Sequence, residues 1–115
     1  MTATNSDIYT LVGEELGIVS GNEALSADDT DKISRRATKV RAWLIEQSAC
    51  YWPDDAIPDA AALPYAMVLA GQCAEIFGRG QGSEAPYTGG PAGFQLLKEH
   101  VSQHSAKERV QAEYF

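Results

Sequence analysis

The chain has 115 residues, with 16 acidic and 9 basic side chains and a formal net charge of −7. This length fits one domain and can bury roughly two thirds of the unfolded surface, so a core can form without a disulfide or a metal. The acidic balance argues against a free-standing nucleic-acid binder, because such proteins neutralise phosphates with Lys and Arg. Any contact with DNA is expected to be weak or imposed by an assembly.

The cysteines and the N-terminal residues indicate the cellular compartment in which the chain is expected. Cys50 and Cys73 form no CxxC pair, and free Cys is usually buried, so both are predicted to be small core residues. Residues 1–12 lack the basic and apolar regions of a signal peptide. No run approaches the roughly 18 apolar residues of a membrane span, so we expect a soluble chain made in the cytoplasm, without membrane contact.

Helix one is predicted over residues 7–16, where apolar residues recur at helical spacing. Asn5 or Ser6 is its expected N-cap, and Gly17 follows as a left-handed C′ residue. A short loop separates this helix from the next capping signal.

Helix two is predicted over residues 27–48, with Trp43 widening its apolar stripe. Ser26 is the expected N-cap of a capping-box variant, in which Asp replaces the usual Glu or Gln. The sequence leading to Pro53 is expected to end the helix, since a residue before proline avoids the α region. The segment Asp54–Asp59 is interpreted as a turn or short linker.

Helix three, over residues 59–77, is apolar nearly all round, which predicts the buried centre of the fold. Pro64 removes one backbone hydrogen bond, so we expect either a kink over 60–63 or a helix that starts close to Pro64. Gly78 is expected to end helix three as its C′ residue.

A glycine-rich loop over residues 78–90 precedes the last predicted helix, at 91–112. The loop is expected to be too flexible to pack on its own, and long loops in small domains are usually functional or disordered. Residues 109–115 are interpreted as an extended C-terminal segment. These patterns predict an all-α fold, a four-helix bundle in a single domain over 1–115.

The chemistry-bearing residues do not form a recognisable catalytic site. His100 and His104 share a helix face at the i,i+4 spacing of two metal ligands, without a third ligand. The run Gly78–Gly82 follows a helix and lacks the GK[ST] of a phosphate-binding loop. No Ser or Cys stands with a base on a nucleophile motif. We predict no enzyme activity, cofactor or metal; a metal-binding enzyme that uses the two histidines is a remaining alternative.

Five basic residues crowd helix two, and three interpretations are open. They form a solvated face paired with acids, a salt-bridging surface for an acidic neighbouring subunit, or a contact with duplex DNA. The residues assigned to the inter-subunit surface are Lys32, Arg35, Arg36 and Lys39, with Arg41 close by.

Two further segments are candidate docking surfaces. Aromatic anchors are favoured where one protein enters a pocket of another, which makes the C-terminal segment a candidate for partner binding; a frayed end is its alternative. The loop can order on a partner. The tail candidates are Arg109, Val110, Tyr114 and Phe115. The loop candidates are Arg79, Gln81, Glu84 and Tyr87.

Five short segments follow one another in a recognisable order. They are Leu16-Gly17-Ile18, Leu25-Ser26-Ala27-Asp28-Asp29, Ala42-Trp43-Leu44, Ile57-Pro58-Asp59 and Phe77-Gly78. In pattern and order they resemble the head-to-tail adaptor, or connector, proteins of tailed bacteriophages and of related gene-transfer particles. The proline inside helix three and the glycine content of the loop depart from that pattern.

The resemblance implies a structural protein that assembles as a ring, typically of twelve copies, under the portal in the neck of the virion. The implied partners are the portal protein above and a stopper or tail-terminator protein below. Genomic DNA passes through the ring without sequence-specific binding. In such adaptors the C-terminal segment commonly reaches the portal, and the loop would face the lumen or the next ring. The competing interpretation is a small regulatory or antitoxin-like helical protein that binds a protein partner or DNA.

Overall fold

Helices make up most of the structure, as predicted, and one small sheet is added to them. The structure is a computed structural model that describes residues 2–19 and 23–113, with 107–113 as backbone only. In chain order its elements are β1 (Thr2–Ala3), α1 (Asn5–Glu15), α2 (Ala27–Glu46), β2 (Ile57–Pro58), α3 (Asp59–Cys73), the 3₁₀ helix Ala74–Phe77 and α4 (Gly90–Glu113).

The antiparallel pairing of β1 with β2 makes the all-α prediction wrong in one detail. Thr2 pairs with Pro58, and Ala3 pairs with Ile57. Strands of two residues are too short to show the alternation by which a strand is recognised in sequence. The ladder holds residues 2 and 3 against the start of α3.

α1 begins two residues before its predicted start because Thr4, and not Asn5 or Ser6, is its N-cap. The Thr4 hydroxyl accepts a hydrogen bond from the N–H of Asp7 (3.2 Å), and the Asp7 carboxylate accepts one from the N–H of Thr4 (3.0 Å). This reciprocal capping box satisfies two otherwise unpaired N–H groups. At the other end Gly17 has φ +73°, which confirms the left-handed C′ position.

The turn before β2 binds the first turn of α1. The N–H of Asn5 donates to Asp55 Oδ1 (2.7 Å), and the Asn5 side-chain amide donates to Asp54 Oδ1 (3.2 Å). Carboxylates are favourable at a helix N-terminus because the N–H groups there carry partial positive charge. The predicted turn or linker is therefore a turn that clamps α1 to the chain ahead of α3.

α2 begins where predicted and ends earlier. The Ser26 hydroxyl accepts from the N–H of Asp29 (3.1 Å), which confirms Ser26 as the N-cap. The helix stops at Glu46 because Ser48 is left-handed (φ 57°) and the next N–H groups turn back to the last helical carbonyls. This Schellman-type closure, and not the approach to Pro53, ends the helix.

α3 is the centre of the fold and contacts α1, α2 and α4. It starts at Asp59, so the predicted alternative start near Pro64 is wrong. Pro64 leaves the carbonyl of Ala60 without its helical partner, and Ala60 is exposed, so water can bond that carbonyl. Gly78 (φ +73°) ends the following 3₁₀ helix, as predicted for a C′ residue. The buried residues of α3 are Ala61, Tyr65, Ala66, Val68, Leu69, Ala70 and Cys73.

α3 with the 3₁₀ helix is long and apolar enough to cross a membrane, by length and composition only. The stretch Asp59–Phe77 has 19 residues and a mean hydropathy of 1.3. The expectation that no segment approaches a membrane span is therefore wrong for this stretch. Its apolar character also has an explanation within the fold, since three helices cover it.

Cys50 and Cys73 are free and buried, which confirms their interpretation as small core residues. Burial raises the pKa of both thiols, that of Cys73 to about 11. Because the thiolate is the reactive form, both side chains are expected to be poor nucleophiles at neutral pH.

α4 packs along α3 and then leaves it. Leu97 is fully buried and Val101 is partly buried, and the helix continues twelve residues beyond Val101 to Glu113. The backbone stays helical to Glu113, so residues 109–113 continue α4 and do not form an extended segment. A projecting helix agrees with overall dimensions of 53 × 27 × 24 Å.

Candidate functional site

An open groove of about 610 Å³ lies between α2, the 3₁₀ helix, the glycine-rich loop and the first turns of α4. At its floor α3 and α4 approach closely: a Cβ on Gly71 would lie 3.1 Å from Gly90 Cα, so a side chain there would require a small shift of the backbone. The side chains that form its walls include Arg36 and Trp43 of α2, Arg79, Gln81 and Tyr87 of the loop, and Phe94 of α4.

Aromatic side chains form two walls of the groove. Trp43 is 41% exposed, and its ring centroid lies 5.1 Å from that of Phe94. Trp43, which is predicted to widen the apolar stripe of α2, therefore lies at an exposed edge of that stripe. Burial, with the Glu15 carboxylate nearby, raises the pKa of Tyr87, so its hydroxyl is protonated at neutral pH. Exposed aromatic rings beside a cleft are typical of protein-binding surfaces.

Three of the five basic residues of α2 are engaged within the chain. Lys32 and Arg35 each form an ion pair with an Asp one turn earlier, at 3.1 Å and 2.8 Å. Arg41 donates to the carbonyl of Trp52 (2.8 Å). The solvated-face interpretation thus describes Lys32 and Arg35, while Arg41 ties α2 to the loop that follows it.

The other two cations of α2, Arg36 and Lys39, line the groove or its extension along the helix. Over residues 2–19 and 23–106, where side chains are described, neither has an ion pair. A cation that has no internal partner is available to an incoming carboxylate. The groove and its extension therefore combine two such cations with the exposed ring of Trp43.

Arg79 orders the glycine-rich loop, contrary to the expectation that the loop cannot pack on its own. Its Nη1 donates to the carbonyl of Leu16 at the end of α1 (2.9 Å), and its Nε donates to the carbonyl of Ala85 within the loop. The N–H of Tyr87 donates back to the carbonyl of Arg79 (2.9 Å). The guanidinium group of Arg79 is thus used inside the fold, and the loop presents a formed wall to the groove.

The structure brings together parts of two predicted contact sets. Arg36 of the inter-subunit set meets Arg79, Gln81 and Tyr87 of the loop set at the groove, and Lys39 lies on its extension along α2. Glu84 is exposed on the same loop and does not line the groove. Sequence reasoning could not place helix two beside the loop, because no local pattern links segments about 40 residues apart.

The tail candidates for portal binding lie where the description of the chain ends. Arg109 and Val110 belong to the helical backbone of α4, and their side chains lie outside the described residues. Tyr114 and Phe115 lie outside the described residues altogether.

His100 and His104, the predicted candidate metal ligands, pack against Tyr51. The ring of Tyr51 stacks on that of His104, with centroids 3.9 Å apart and planes 5° from parallel. The Tyr51 hydroxyl and His100 Nε2 share a hydrogen bond of 3.0 Å. Within the part of the chain that the structure describes, no group of three or more His, Cys, Asp and Glu side chains could hold a metal ion. The two histidines dock the segment after α2 onto α4.

This packing predicts an acid-sensitive stability. Burial, and secondarily the nearby His104, lowers the pKa of His100 from its ordinary value of 6.5. Between the lowered pKa and 6.5 the unfolded chain binds more protons, so the free energy of unfolding falls as the pH drops through that window. Urea denaturation at pH 7.5 and 5.5 should show this loss, and His100→Gln should reduce it. A titration midpoint of His100 at or above pH 6.5, measured by NMR, would contradict the prediction. His104→Gln should raise the pKa of His100, because it removes the neighbouring imidazole.

The groove presents charged, polar and aromatic side chains at its surface. Its lining contains an acid, Glu75, and a phenol, Tyr87, but no pair of nucleophile and base. Comparison of the chain with protein-family models, with curated proteins and with solved structures found no match.

Proposed function

We propose that this chain is a head-to-tail adaptor of a tailed bacteriophage virion, a four-helix bundle that forms a ring under the portal and joins capsid to tail. The observation that carries the proposal is the groove, where Arg36 and Lys39 stand beside a half-exposed Trp43 on a chain of net charge −7. Arg and aromatic side chains supply much of the binding energy of protein interfaces. The groove therefore suits an acidic segment of a protein partner.

The charge distribution supports a role in which DNA passes the protein without being bound tightly. Lys32 and Arg35 are neutralised by aspartates, and Arg41 and Arg79 bond backbone carbonyls. Affinity for DNA comes mainly from cations that contact phosphates, and a conduit that lets DNA slide needs few such contacts. An acidic ring subunit with these four cations engaged in the fold fits the passage of genomic DNA without sequence-specific binding.

The proposed partners are proteins on the two faces of the ring. The portal protein would bind one face and a stopper or tail-terminator protein the other. Twelve copies and a portal contact through residues 109–115 are what the resemblance favours. The protein would be made in the host cytoplasm and reside in the neck of the virion.

Reconstitution with the portal protein encoded in the same genome tests this function. The purified chain and portal are mixed, separated by size and imaged by negative-stain electron microscopy, with portal alone as the control. The proposal expects an added ring on one face of the portal. Portal images that are unchanged at saturating adaptor concentration would contradict it.

Binding of duplex DNA separates the proposal from the regulatory or antitoxin-like alternative. The isolated adaptor is expected to bind a DNA duplex weakly. Tight binding with a steep salt dependence would favour the alternative, because that dependence reports many phosphate contacts.

A further inference from the structure

We infer that the groove receives Glu113, Tyr114 and Phe115 from a second copy of this chain. The contact joins the groove at one end of a copy to the distal end of α4 of the next copy. The inference rests on the proposed adaptor function for the closure of these contacts into a ring. It assigns the C-terminal residues to a neighbouring copy in place of the portal.

A copy cannot fill its own groove. Phe94 lines the groove, and Glu113 lies about 28 Å further along the same helix at 1.5 Å per residue. Two more residues span at most about 7 Å. The two residues after Glu113 cannot span the distance back to the groove of their own copy, so the groove that we infer for them belongs to another molecule.

The same geometry carries the end of α4 at Glu113 away from the core of its own copy. Leu97 is fully buried and His104 still packs on Tyr51, but α4 continues nine residues beyond His104 to Glu113. Aromatic side chains bury roughly 150–250 Å² each when they are covered, which is a large driving force for docking. The groove has a volume of about 610 Å³, within the range of pockets that enclose small ligands, and its walls include Trp43 and Phe94.

Charge complements the apolar fit. Arg36 and Lys39 have no ion pair among the described side chains, and Glu113 would bring a carboxylate next to the two aromatic rings. Glu75 lines the groove from the 3₁₀ helix, so the incoming carboxylate is expected on the α2 side. A chain with net charge −7 needs such local pairing to bring two copies together.

The contact uses two different surfaces, so a bound pair of copies still offers one free groove and one free tail. Heterologous contacts of this kind close into a ring when the rotation between copies allows it, and otherwise form open filaments. The groove and the distal end of α4 thus provide the repeating joint that a ring requires.

A fluorescent peptide with the sequence of residues 106–115 tests the contact directly. It is titrated by fluorescence anisotropy against the full chain carrying Tyr114→Ser and Phe115→Ser, whose groove has no competing tail. Saturable binding is expected. Adding Arg36→Glu and Lys39→Glu to that chain should weaken binding roughly tenfold or more. Arg35→Glu is the matched control, because Arg35 is exposed on α2 outside the groove, and it should leave binding unchanged.

Self-association without portal gives an independent test by analytical ultracentrifugation. The wild-type chain should associate with rising concentration. The tail variant (Tyr114→Ser, Phe115→Ser) and the groove variant (Arg36→Glu, Lys39→Glu) should each stay monomeric. Their equimolar mixture should form heterodimers and nothing larger, because it contains one intact groove and one intact tail per pair. Thermal melts of both variants check that each is folded.

Several outcomes overturn the inference. They are a wild-type chain that stays monomeric and binds no peptide, self-association that survives in either variant, or a tail variant that loses only portal binding. None of the self-association measurements involves portal. A negative result in them overturns the tail-to-groove contact and leaves the adaptor function to be tested by the reconstitution with portal. Conversely, tail-to-groove assembly in a chain that ignores the portal would overturn the adaptor function alone.

Discussion

Gly93→Ala is expected to destabilise the protein by about 2–3 kcal/mol and to lower its Tm by roughly 10 °C. Gly93 is buried where α4 crosses α3. An added Cβ would lie 2.6 Å from Met67 Cβ and 2.8 Å from the carbonyl oxygen of Pro64. Neither atom is the end of a flexible side chain, so the two helices would have to separate along their main contact. Urea denaturation monitored by circular dichroism measures the loss.

The expected effect of Gly93→Ala on the free energy of unfolding is opposite in sign to that of most Gly→Ala substitutions in helices. Replacing Gly by Ala at an ordinary helix position stabilises the helix by about 1 kcal/mol. Gly90→Ala is the matched control, because it is on the same helix and its Cβ would meet Gly71 Cα at an ordinary distance of 3.5 Å. Its change in the free energy of unfolding should stay within about 0.5 kcal/mol. Equal stabilities for the two variants would show that α3 and α4 do not pack as described.

Arg79→Met is expected to cost about 2–3 kcal/mol and to release the glycine-rich loop, because hydrogen bonds from a charged donor contribute about 1.5–3 kcal/mol. Methionine keeps much of the length of the side chain but cannot donate to the carbonyls of Leu16 and Ala85. The backbone bond from Tyr87 to Arg79 loses its support as well. Hydrogen exchange at the Tyr87 amide should accelerate more than exchange in α3.

Arg35→Met is the comparison for this variant. Arg35 bonds Asp31 at 2.8 Å, but both side chains are largely exposed, 80% and 56%. Exposed ion pairs contribute about 0–1 kcal/mol, so this change should be small and should leave exchange in the loop unaltered. If Arg79→Met behaved like Arg35→Met, the loop would not depend on the Arg79 bonds and the groove would lack a fixed wall.

The helices could be predicted because their signals are local. Periodic apolar residues, the Ser26 cap and the left-handed Gly17 and Gly78 all act within about one turn of the backbone. The four predicted helices accordingly match the observed boundaries closely, once the last turn after Cys73 is described as 3₁₀. The early end of α2 cannot be predicted from such signals. Ser48 takes a left-handed conformation that is typical of Gly or Asn and not of Ser.

The groove could not be predicted because its parts are far apart in the chain. Five cations on one helix look alike in sequence, and only the fold separates Arg36 and Lys39 from the paired or internally bonded ones. Trp43 fits the apolar stripe of α2 by spacing, yet it stays half-exposed at the edge of that stripe, where the Phe94 ring contacts it. Spacing assigns a face to a residue but does not say what packs on that face.

The sequence by itself determined the class of this protein: an acidic chain of mostly helical structure, with an apolar third helix at its centre and two buried, unreactive cysteines. Only the tertiary structure decided that residues 2 and 3 pair with 57 and 58, that Arg79 orders the loop against α1, and that the loop and α2 enclose a groove. The reason is the range of the interactions. Helix formation depends on neighbours within about four residues, whereas the clamp, the ordered loop and the groove join segments that meet only after the core has formed.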